Sequence, residues 1–114
     1  MRKAVLFVAL LVALILTALP GHAATDVNAV GETFVPAVFT AHAGDQVSLH
    51  NLEALAIAHT LTSDANLCAG VPCSTGPVAS GNTGSFTLPA TTAPGEYLFH
   101  CAFHIQMRAV LIVN

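Results

Sequence analysis

Cys101, His104 and Met107 stand three residues apart in the run Glu96-Tyr97-Leu98-Phe99-His100-Cys101-Ala102-Phe103-His104-Ile105-Gln106-Met107-Arg108. A strand that ends and turns within this run can aim all three side chains at one point. A fourth donor, His59, lies far away in sequence, on a stretch whose alternation turns it inward. Buried imidazole and buried thiol both need polar partners, and a shared metal ion would serve both. Two imidazoles, one thiolate and one thioether form a soft, mixed set. Two His and one Cys in a plane with a weak axial Met is the pattern of blue-copper electron-transfer centres. Zinc fits less well, because a thioether is a poor zinc ligand and structural zinc sites prefer more thiolates. The expected cofactor is one copper ion cycling between Cu(I) and Cu(II).

Each donor taken singly has a simpler explanation: a hydrogen-bonded core histidine, an inert buried cysteine, a core methionine. The case rests on the four together. His42, His50 and His100 show no shared spacing with acidic or sulfur donors. They are expected to be ordinary, and His100, of opposite parity to Cys101, should face away from the metal.

The elements that must position these donors read as strands and turns, with helical periodicity nowhere sustained. Residues 34–40 are β-rich, with Pro36 pointing to an edge or bulge. After the turn Ala43-Gly44-Asp45, residues 46–51 alternate, with Val47 and Leu49 on one face. Residues 57–62 alternate again, Ile57, His59 and Leu61 sharing the inward face. Residues 63–84 are rich in Gly, Pro, Ser, Thr and Asn and are expected to be loop. Residues 85–88, 96–101 and 108–113 complete the strands, with Pro94-Gly95 as a turn. Short strands at this spacing predict an all-β sandwich or small barrel.

Gly44-Asp45-Gln46-Val47, His59-Thr60-Leu61-Thr62 and Pro94-Gly95-Glu96-Tyr97-Leu98-Phe99-His100-Cys101 make the chain resemble the cupredoxin family, in its plastocyanin- and amicyanin-like branch. The resemblance runs from about residue 34 to residue 113. The two residues between His104 and Met107 resemble the short ligand loop of amicyanin. The resemblance implies a Greek-key β-sandwich with copper at one end, His59, Cys101 and His104 as equatorial ligands and Met107 as the axial one. Many members carry Asn after the first histidine and Gly two residues after the methionine, where this chain has Thr60 and Ala109.

The chain has 114 residues, room for one domain. Arg2 and Lys3 open it, an uncharged apolar run follows over residues 4–19, and then Pro20-Gly21-His22-Ala23-Ala24. That is the order of a secretory signal. Cleavage is expected after Ala23, with Ala24 as the second choice, leaving a copper-binding domain over residues 24–114. A retained anchor is the alternative, though about sixteen apolar residues fall short of the roughly twenty that a bilayer span needs. In the mature chain Asp26, Glu32, Asp45, Glu53, Asp64 and Glu96 face Arg108 as the only cation, for a net charge near −5. Phosphate contacts need basic groups, so nucleic acid is excluded as a partner. The location is expected to be periplasmic or otherwise exported, with no stable membrane insertion after cleavage and a monomeric state.

Cys68 and Cys73 lie in the turn-rich Cys68-Ala-Gly-Val-Pro-Cys73. An oxidising compartment favours their disulfide; two free thiols or a soft-metal clip are the rivals. Bridging them leaves Cys101 alone, an odd thiol that calls for a role.

Copper enzymes fit poorly. A multicopper oxidase needs His-x-His pairs, and Ala102 stands where His100 would need its partner. A dinuclear centre needs two cysteines in the ligand loop, and a nitrite reductase needs more histidines and a longer chain. The expected function is therefore non-enzymatic single-electron transfer between redox proteins, a basic cytochrome or oxidoreductase among the candidate partners. A copper buffer or delivery protein is the alternative.

Overall fold

The computed structural model describes residues 23–114, so the expected leader lies outside the described residues except for Ala23. Eight strands follow in order: β1 (Ala24–Val30), β2 (Thr33–Val35), β3 (Val38–Ala41), β4 (Gln46–Asn51), β5 (Thr62–Ser63), β6 (Thr83–Thr87), β7 (Gly95–His100) and β8 (Arg108–Val113). They form two four-stranded sheets, ordered β2-β1-β4-β6 and β3-β8-β7-β5. The expected all-β sandwich is what is found.

Alternation decides which face each strand buries. Val27 and Ala29 on β1, and Val47, Leu49 and Asn51 on β4, point inward from one sheet. Phe39 and Ala41 on β3, Phe99 on β7, and Ala109, Leu111 and Val113 on β8 meet them from the other. Phe99 sits at the centre, edge-on to Phe39 with ring centroids 5.7 Å apart and stacked on Phe86 at 5.8 Å. Such aromatic pairs add about 0.5–1.5 kcal/mol each beyond the area they bury.

The stretch 34–40 is not one strand. Proline has no N–H to give a ladder, and at Pro36-Ala37 the chain leaves the first sheet, where β2 pairs with β1, and enters the second, where β3 runs parallel to β8. Strand β1 was not foreseen. Its Asp, Asn and Ala are weak strand formers, and it is held by six parallel register pairs with β4, from Ala24↔Gln46 to Ala29↔Asn51.

Residues 57–62 also depart from the expected strand. Only Thr62 belongs to a ladder; the rest pairs irregularly with a segment of the expected loop. His59 exchanges both backbone bonds with Val78, at 3.1 and 2.8 Å. Leu61 N–H donates to Thr75 Oγ1 at 3.1 Å. The loop thus supplies the antiparallel partner that holds His59. It also contains the Cys68–Cys73 disulfide, with Cα atoms 5.0 Å apart, tied to β5 by Ser63 N–H to Cys73 O at 2.8 Å.

Candidate metal centre

Strands β7 and β8 pair up to His100↔Arg108, and the residues between them form the loop that carries three of the expected donors. Two backbone bonds shape it. Cys101 N–H donates to Met107 O at 3.2 Å, extending the hairpin by one rung, and Met107 N–H donates to His104 O at 2.9 Å, folding the loop back on itself. Cys101 and Met107 are both buried in the core, and His104 is half-buried at the rim.

His59 comes from the segment between β4 and β5, where it pairs with Val78. The candidate ligand atoms of His59, Cys101 and His104 all lie within 4.8 Å of one another. Cys101 Sγ is 3.8 Å from His59 Nδ1 and 3.6 Å from His104 Nδ1. The two rings are tilted, with centroids 4.8 Å apart. Both Nδ1 atoms therefore face the sulfur, and both Nε2 atoms face away from it.

What the Nε2 atoms meet settles the chemistry of the rings. His59 Nε2 lies 3.0 Å from Glu53 Oε1. A carboxylate only accepts, so the proton belongs on Nε2 and the Nδ1 lone pair is left free for a metal. Glu53 is in turn fixed from behind, accepting Glu32 N–H at 3.0 Å and donating its own N–H to Asn51 Oδ1 at 3.0 Å. The Glu32 amide, and after it the His59 ring, hold the Glu53 carboxyl below its usual range against the opposing effect of burial. Glu32 also places Oε1 3.6 Å from His104 Nε2, so each imidazole carries a carboxylate on its outer side.

Neither glutamate was singled out in the sequence, and neither was Asn51. Asn51 is fully buried, and its Nδ2 donates to Ile57 O at 2.7 Å and Val78 O at 2.9 Å. It thereby forms the loop that carries Glu53 and delivers His59. An inward-facing Asn at a strand end was the signal available, since a buried amide must be spent on hydrogen bonds.

Thr60 is buried, with both its polar groups engaged. Its N–H donates to Cys101 Sγ at 3.4 Å, and its Oγ1 accepts Ala102 N–H at 2.9 Å. The residue after the first histidine thus grips the thiol and the peptide that follows it. The remaining histidines are used elsewhere: His50 bridges Asp26 and Thr83, each at 2.8 Å, His100 pairs with Asp64, and His42 lies 3.8 Å from Asp45.

A model of the cupredoxin-like domain matches residues 4–113. The chain belongs to the cupredoxin-like family. No curated protein matches it. Among solved structures, a reduced Cu(I) form of an amicyanin variant is similar at 22% identity, over 85% of this chain and 88% of that one, with a TM-score of 0.67. An oxidised amicyanin variant gives the same values. A further Cu(I) amicyanin variant matches at 21% identity, over 80% and 82%, with a TM-score of 0.66. At this identity the likeness speaks to the cupredoxin fold alone.

Proposed function

We propose that this cupredoxin is an exported mononuclear blue-copper protein that carries single electrons between redox proteins. His59, Cys101 and His104, with Met107 in the same loop as the latter two, would hold the ion. The observation that carries the reading is the convergence of two Nδ1 atoms on one buried thiol, at 3.8 and 3.6 Å. When bound, copper supplies a one-electron Cu(I)/Cu(II) couple, and this donor set suits both states. The chain's part is to hold the donors still. Asn51 and Glu53 fix His59, Thr60 fixes Cys101, and the folded loop fixes His104 against Met107. A frame set before the metal arrives leaves little to move when its charge changes.

Burial of His59, Cys101 and Met107 supports a resident ion over one passed on by a delivery protein, which must expose its donors. Export is supported by the charged, apolar and small-residue order of residues 1–24 and by the Cys68–Cys73 disulfide, which an oxidising compartment sustains. The copper-loaded protein should take up and return one electron per chain in a reversible titration while keeping its metal. Loss of copper to a Cu(I) acceptor at each reduction would favour the delivery function instead.

A further inference from the structure

The hydroxyl of Thr60 is one end of a chain. Thr60 Oγ1 is 3.0 Å from Thr62 Oγ1, and Thr62 Oγ1 is 2.8 Å from Ser74 Oγ. Ser74 Oγ also accepts Gly76 N–H at 3.0 Å. The direction of the protons follows from burial. Thr60 is buried and already accepts Ala102 N–H, so its own proton must go to Thr62. Thr62, with its acceptor side taken by Thr60, can then donate to Ser74, which is exposed and can give its proton to water. All donors point outward, from the peptide after Cys101 to the surface beside Cys73. A hydroxyl that donates becomes a better acceptor, so each link strengthens the one before it.

We propose that Thr62 and Ser74 are positioning residues for the metal centre, tightening through Thr60 the grip on Cys101 and Ala102. This rests on Cys101 being a copper ligand. An amide donor to the thiolate withdraws charge from it and favours the reduced metal. Loosening Thr60 therefore lowers the reduction potential.

The test uses Thr62→Val and Ser74→Ala in the full chain, read in two ways. In the metal-free protein, exchange of the Ala102 amide should speed up, by up to about tenfold in Thr62→Val and by a smaller factor in Ser74→Ala. In the copper-loaded protein, Thr62→Val should shift the thiolate-to-copper band and lower the potential, by at most about 59 mV for a tenfold change in relative affinity. Thr62→Ser, which keeps the hydroxyl, should restore both. Ser74→Ala changes an exposed side chain, so it remains informative if Thr62→Val fails to fold. Wild-type Ala102 exchange in both variants would overturn the relay. A wild-type chain without a copper band would count against the copper reading, while the exchange data would still decide the relay.

Discussion

His59 is fixed on both sides of its ring, with Glu53 at Nε2 and the Cys101 thiol opposite Nδ1. Partners of this kind orient a ligand and raise its basicity, and their loss costs about 10–100-fold in metal affinity. Glu53→Ala should weaken copper binding by about that factor in a competition titration with a chelator. Glu53→Gln keeps an oxygen acceptor for Nε2 and should lose less. Equal affinity in wild type and Glu53→Ala would mean that the carboxylate does not orient the ligand. Met107 makes its own prediction. An amide oxygen favours Cu(II) over a thioether, so Met107→Gln should lower the reduction potential, and Met107→Leu should raise it. Potentials unchanged in both variants would remove Met107 from the ligand set.

The elements place these residues through contacts between distant segments. Gly84 on β6 is the tightest case, since a Cβ there would lie 2.6 Å from Val78 Cγ2 and 3.3 Å from Thr75 O. Val78 is β-branched and stiff, and its backbone is what pairs with His59. Gly84→Ala should therefore destabilise the fold by about 1–3 kcal/mol, measured by denaturant unfolding, and weaken copper binding with it. Strands β4 and β8 were legible because one face is buried and the period of two is clean. Strand β1 was not, since its partners on β4 lie twenty-two residues on and its own residues carry little strand preference. The same distinction divides the site. Cys101, His104 and Met107 share one loop, so their spacing shows in the sequence. Glu53 and Glu32 reach the histidines across irregular turns, where no period relates position to direction.

For the whole molecule, the acidic balance and the exposed residues of the ligand loop bear on how partners meet it. Phe103 is 55% exposed and Ile105 77%, on either side of His104. Weak redox encounters use small interfaces, and an apolar rim beside half-buried His104 suits one. Phe103→Glu or Ile105→Lys should slow transfer to the redox partner in stopped-flow while leaving the copper spectrum intact. Added salt should slow association with a basic partner, because steering is screened. Unchanged rates in both variants would put the port elsewhere. All of this depends on one thiolate. Among the described residues Cys101 is the free cysteine, Cys68 and Cys73 being bridged. The decisive measurement is the visible absorption of the Cu(II)-loaded protein and its Cys101→Ser variant. An intense thiolate-to-copper band in the wild type that disappears in Cys101→Ser is the predicted result; a colourless wild type, or a band that survives the substitution, would contradict the assignment.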